Sequence, residues 1–153
     1  MNTTNLFTAA EVQITYRNHS DLLQRPQIQR TNEVVHIMHN IEDMRKNIDY
    51  KEVFYAIYLN QNNRVLSVGK VSEGTTTGCL VNIRQILQSA LLQNATALIV
   101  CHNHPSGNTE PSQQDRQVTT KIKSAAKLLD IQLLDSFVIS SFGYFSFAES
   151  GLL

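Results

Sequence analysis

The sequence predicts an α/β (α+β) domain, a mixed central β-sheet flanked by helices. Three observations carry that expectation. Val53-Phe54-Tyr55-Ala56-Ile57-Tyr58-Leu59 and Ala97-Leu98-Ile99-Val100 are continuous apolar runs of strand length, rich in β-branched and aromatic residues. Elsewhere apolar residues recur at helical spacing, at Ile83, Ile86, Leu87, Ala90 and Leu91 and again at Val118, Ile122, Ala125, Ala126 and Leu129. The two kinds of segment interleave as β-α-β-β-α-β-α-β-β, which is not a clean βαβ repeat and so calls for a mixed sheet.

Each element has its own signal. Val12, Ile14 and Tyr16 alternate with polar residues, so Glu11 to Arg17 reads as a half-buried strand. A loop from His19 to Pro26 follows, because proline interrupts a continuous element. From Thr31 or Asn32 onward, Val34, Val35, Met38, Ile41 and Met44 share one face of a single helix ending at Arg45-Lys46. Asn60-Gln61-Asn62-Asn63 turns the chain from the strand Val53–Leu59 into a returning strand that begins Val65-Leu66-Ser67-Val68. Ser72 to Gly78 is polar and glycine-punctuated, hence a loop. Asn82 caps the next helix and Asn94 stops it. The strand Ala97–Cys101, a helix from Ser112 to Leu129 and a strand from Ile131 to Ser140 follow. A tight turn at Phe142-Gly143 leads to a last strand, Tyr144–Ala148. Residues 1–50 thus form a strand-and-helix extension to a main domain at 51–153, the two packed as one unit.

Bulk properties narrow the function classes. The 153 residues suffice for one domain with a core. Thirteen Lys and Arg balance thirteen Asp and Glu, whereas a module gripping nucleic acid through its phosphates needs a basic excess. No run approaches the ~20 apolar residues of a membrane helix. Met1 to Asn5 lacks the features of a secretion signal. Two cysteines, Cys79 and Cys101, make no disulfide framework, so a cytoplasmic setting is expected.

The chemistry concentrates in Cys101 to Asp115. In an extended His-x-His, both side chains point the same way, so His102 and His104 can reach one ion. Pro105 then turns the backbone and Gly107 eases the turn. Asp115, in the first turn of the next helix, can reach back as a third ligand. Two imidazoles and a carboxylate suit Zn2+, and three protein ligands leave the open position of a catalytic site. Two plainer readings stand beside this one. Ser112-x-x-Asp115 is also a helix capping box, and loop histidines often bond only to backbone. Other metal-compatible residues have weaker claims. Strand alternation turns Cys101 away into the core, Cys79 has no partner in sight, and His36 and His39 sit three apart on a helix with no third ligand.

His102-Asn103-His104-Pro105 followed by Ser112-x-x-Asp115 resembles the signature of the JAMM/MPN metalloproteases. Ser106-Gly107 and Pro111-Ser112 make it similar to the RadC branch, and so do Ser72-Glu73-Gly74-Thr75, Ile83-Arg84-Gln85-Ile86, Asn94-Ala95 and Leu133-Leu134-Asp135. Six residues separate Pro105 from Ser112, one fewer than in the usual JAMM motif. The resemblance implies a cytidine-deaminase-like architecture and Zn2+ held by His102, His104 and Asp115. It also implies a serine that stabilises the oxyanion, here Ser112, and an upstream glutamate as general acid and base. Glu52, entering the first strand of the hairpin, fits that glutamate; Glu73 competes for the role. The expected activity is zinc-dependent cleavage of a peptide or isopeptide bond in a protein substrate. The competing readings are a DNA-repair or mobile-element accessory domain and a binding module without turnover. The helical N-terminal domain common in RadC proteins has no counterpart here, which with the zero net charge weakens the DNA reading. A homodimer through the N-terminal strand is a further expectation.

Overall fold

Strands whose every residue is apolar must be covered on both faces, and the computed structural model, which describes residues 21–74 and 80–153, shows how. Its elements are a 3-10 turn at Leu22–Gln24, α1 (Thr31–Asn40), α2 (Glu42–Asn47), β1 (Val53–Leu59), β2 (Val65–Glu73), α3 (Ile83–Leu92), β3 (Ala97–Asn103), α4 (Gln113–Lys127), β4 (Gln132–Ile139) and β5 (Tyr144–Ser146). One sheet runs in the order β2-β1-β3-β4-β5. β1 is antiparallel to both β2 and β3, β3 is parallel to β4 through the α4 crossover, and β5 returns antiparallel. This is the mixed, helix-flanked sheet that the sequence predicts. The expected strand Glu11–Arg17 lies outside the described residues, as do Thr75 to Cys79.

All residues of β1 and β3 are buried, and period two divides them between two cores. Val53, Tyr55, Ile57 and Leu59 pack with Val34, Met38 and Met44 of α1 and α2. Phe54, Ala56 and Tyr58 pack with Ile86 and Ala90 of α3 and Ile122 and Ala126 of α4. The molecule is therefore three layers, with α1/α2 on one face of the sheet and α3/α4 on the other. None of the helices among the described residues is long and apolar enough to cross a membrane.

Beside β3 reaching Asn103 rather than Cys101 and shifts of one or two residues at the ends of α4 and β4, three differences from the sequence expectation have a physical reason. The single helix to Lys46 is two helices, broken at Ile41, which is extended (φ −77°, ψ 116°). The Ile41 amide closes a tight turn onto the Met38 carbonyl (3.1 Å), while the Asn40 side chain donates to the His36 carbonyl (3.0 Å). Apolar spacing runs straight across this break, since Met38 and Met44 reach the same core, so periodicity does not reveal it. The second difference is β2, which extends through Ser72 and Glu73, pairing them with Phe54 and Val53. An edge strand keeps polar side chains in solvent, and these look like a loop in sequence. The third is β5, which stops at Ser146, because the Ala148 amide turns in to the Asp135 carboxylate (2.9 Å). Other expectations stand. The Asn82 side chain accepts from the Gln85 amide (3.1 Å) at the start of α3, and Asn94 closes that helix in the left-handed region (φ 55°).

Candidate metal centre

β3 carries its alternation to its end. Cys101 faces the α1/α2 core, and burial pushes its thiol pKa well up. His102 faces the α3/α4 side, buried, its ring stacked on Phe54 at 5.7 Å with 7° between planes. His104 continues the alternation, its amide donating to the Ile139 carbonyl (3.0 Å) before the chain turns. Gly107 closes that turn onto the His104 carbonyl (3.0 Å). Its φ of +85° favours glycine, and a Cβ there would stand 3.1 Å from the Phe142 ring, which would have to shift slightly.

The chain then enters α4 through a reciprocal cap. The Ser112 hydroxyl accepts from the Asp115 amide (3.1 Å), and the Asp115 carboxylate accepts from the Ser112 amide (2.7 Å). The cap fixes where Asp115 points. Its two oxygens lie 3.2 Å from His102 Nε2 and 3.3 Å from His104 Nε2, and the two Nε2 atoms lie 3.1 Å apart. A tetrahedral ion with bonds of about 2.0–2.1 Å separates its ligands by about 3.3 Å. The two nitrogens therefore stand near the spacing such an ion imposes, each with a different Asp115 oxygen at that distance, and one ligand atom from each of the three residues lies within 4.8 Å of the others. Among the described residues, no other group of three or more His, Cys, Asp or Glu side chains converges in this way.

The hydrogen bonds behind the ligands agree. His104 Nδ1 lies 2.7 Å from the Asn108 carbonyl. A carbonyl only accepts, so Nδ1 carries the hydrogen and the neutral ring presents the Nε2 lone pair to the centre. His102 Nδ1 is buried without a hydrogen-bond partner, so Phe54 rather than a second acceptor sets that ring's plane. Burial alone pushes the Asp115 carboxyl up, but hydrogen bonds from His102 and His104 overcome it and hold the group well below the usual range. His104 is raised, chiefly by Asp115. A carboxylate kept ionised between two imidazoles draws positive charge to one point.

The register of β1 places the remaining candidate. Phe54 pairs with His102, so Glu52, two residues earlier, lies on the ligand face at the His104 level. Burial raises the Glu52 carboxyl pKa, with His102, Asp115 and His104 among the charges that act on it. Glu73 pairs with Val53 and shares its opposite face. Its carboxylate is held by Lys51 (2.7 Å) and Lys70 (2.6 Å), which pull its pKa down to about 2. The structure thus brings together His102, His104, Asp115, Ser112 and Glu52, and leaves Glu73 apart. His36 and His39 stay on α1, outside the group. Phe54 and Asn108 were missed from sequence, since a stacking ring and a backbone carbonyl leave no residue-type signal.

Comparison with known proteins agrees with this architecture. The profile of the RadC-like JAB domain matches residues 28–152. A UPF0758 protein of Flavobacterium johnsoniae is 43% identical over 101 residues, 66% of this chain and 44% of that protein. UPF0758 proteins of Pasteurella multocida and Thiobacillus denitrificans are each 47% identical over 67% of this chain and 46% of their own length. The chain spans less than half the length of these relatives. Because the matched region runs from the segment before α1 to beyond β5, the chain belongs to the family of RadC-like JAB domains.

Proposed function

We propose that this chain is a zinc-dependent hydrolase of the JAMM type, cleaving a peptide or isopeptide bond in a protein substrate. One observation carries the reading: the His102 and His104 Nε2 atoms stand 3.1 Å apart, with one Asp115 oxygen 3.2 Å from the first and the other 3.3 Å from the second, so that the three side chains converge on one point, and a half-buried glutamate lies on the same face of the sheet. Two nitrogens and one carboxylate favour zinc over magnesium or calcium, which take oxygen ligands. A zinc ion held by His102, His104 and Asp115 would polarise the scissile carbonyl and lower the pKa of its water to about 7.

The protein's own groups do the rest. Glu52 stands on the ligand face with its pKa raised, which suits a carboxylate that takes a proton from the attacking water and returns it to the leaving amine. Ser112 lies at the exposed rim beside Asp115. Its hydroxyl donates to the Asp115 carboxylate (2.7 Å), so stabilising an oxyanion requires it to rotate away from that oxygen.

Metal analysis and a peptide-library cleavage assay test the reading together. Purified protein is expected to carry about one zinc ion per chain, and His104→Ala to carry none. Glu52→Gln is expected to keep the zinc and lose cleavage by roughly 100-fold or more. Full zinc in His104→Ala removes that ligand from the assignment. Full cleavage by Glu52→Gln with loss in Glu73→Gln moves the base to Glu73.

A further inference from the structure

Between the two histidines lies Asn103, wholly buried in a strand that is otherwise apolar up to His102. Alternation turns its side chain to the other face of the sheet, toward α2. There it meets the chain segment that leads into β1. Its amide nitrogen stands within bonding distance of the carbonyls of Asn47 (3.0 Å), Ile48 (3.1 Å) and Lys51 (3.0 Å), which share its two hydrogens. Its amide oxygen accepts from the Val53 backbone amide (2.8 Å). The backbone ladder between β1 and β3 ends at Phe54 and His102, and this one side chain continues it.

Glu52 sits inside that grip. Its neighbours on either side, Lys51 and Val53, are both bonded to Asn103, and its own carbonyl accepts from the Gly74 amide of the chain leaving β2 (2.9 Å). The Glu52 backbone has no slack relative to β3, and β3 is the element that carries both histidines. An amide is the one side chain of this size that both donates and accepts here. Aspartate loses the donors, leucine loses both functions, and serine is too short to span from β3 to α2.

We propose that Asn103 is a positioning residue that sets the Glu52 carboxylate against the His102 and His104 pair by fastening residues 47–53 to β3. The inference rests on the reading of Glu52 as the proton-transfer group. Asn103 touches neither the substrate nor the ligand atoms. Its action passes through the backbone of Lys51 and Val53, and a displacement of about 1 Å at a catalytic group is enough to slow a reaction by roughly 100-fold.

The test compares wild type with Asn103→Ser and Asn103→Asp, using zinc content, amide hydrogen exchange and kinetics on a library peptide that wild type cleaves. Asn103→Asp keeps the volume and the acceptor for Val53, so it serves if Asn103→Ser does not fold. Both variants are expected to retain full zinc and to exchange the Tyr50 and Lys51 amides at least about tenfold faster, with the Val53 amide faster in Asn103→Ser, which alone loses its acceptor. In both, kcat is expected to fall roughly 10–100-fold with KM within about threefold. Unchanged exchange at those amides overturns the proposal, and so does faster exchange with kcat unchanged. Zinc loss like that of His104→Ala also overturns it, since Asn103 would then be shaping the ligands rather than Glu52. Full cleavage by Glu52→Gln marks failure of the Glu52 assignment instead. If wild type cleaves no library peptide, the exchange and zinc measurements decide the proposal alone.

Discussion

Cys101 and His102 adjoin in sequence yet face different layers of the molecule. The thiol lies in the α1/α2 core and is fully buried, whereas the imidazole faces Phe54 and Asp115. A zinc-thiolate role for Cys101 would need it on the other face. Cys101→Ala is therefore expected to leave zinc stoichiometry at the wild-type value and to destabilise the fold by on the order of 1 kcal/mol through the lost apolar volume. Metal analysis and denaturant unfolding read the two effects separately, and a drop in zinc would place the sulfur in the metal centre. At this scale the pairing of His102 with His104 is legible in the sequence, because alternation in one continuous strand settles which neighbours share a face. The choice between Glu52 and Glu73 is not. Glu52 precedes β1 and Glu73 ends β2, so their faces depend on the register of β1 with β2 and β3, which only the folded chain supplies.

Helix starts form the next scale, and α3 and α4 make a controlled pair. Each opens on a side-chain cap, Asn82 for α3 and Ser112 for α4. Removing either cap by substitution to alanine is expected to cost about 1 kcal/mol of stability. Only Ser112 also fixes a member of the candidate metal group, so on the proposed zinc reading Ser112→Ala is expected to weaken zinc binding while Asn82→Ala leaves it unchanged. Competition with a chromogenic chelator measures the difference, and equal zinc affinity in the two variants would separate the cap from the aim of Asp115. Both caps could be read from sequence because they are local, a polar side chain within three residues of the amide it accepts from. The break between α1 and α2 could not. Ile41 is apolar and correctly phased, no glycine or proline marks it, and Asn40 is the sole stop signal. The same limit applies to β2, whose polar end at Ser72 and Glu73 is a strand only because β1 lies beside it.

Across the whole molecule, the α1/α2 layer and the sheet are tied together by a charged cluster on the face opposite the site. Tyr55 of β1 donates to Asp43 of α2 (2.5 Å). Lys70 of β2 reaches both Asp43 (3.2 Å) and Glu73 (2.6 Å), and Lys51 reaches Glu73 from the segment before β1 (2.7 Å). Hydrogen bonds from Tyr55, then Lys70, lower the Asp43 carboxyl, and Lys51 with Lys70 draws Glu73 down from 4.5 to about 2. A carboxyl whose pKa is lowered by folding binds fewer protons in the folded state than in the unfolded state. Its stabilisation is complete above the unfolded pKa and disappears as pH falls through the folded one. For Glu73 that window runs from 4.5 down to about 2. These groups are largely open to solvent, so the effect is modest and screened by salt. In metal-free protein, thermal unfolding followed from pH 6 to pH 2 is expected to show Tm falling through this window in wild type and falling less steeply in Glu73→Gln. The two curves should converge toward low pH and also at high ionic strength. Curves that stay parallel across the window would mean that the cluster does not couple α2, β1 and β2. The acid sensitivity of the fold would then have to come from the other carboxyls that folding lowers, Asp115, Asp43 and Glu33.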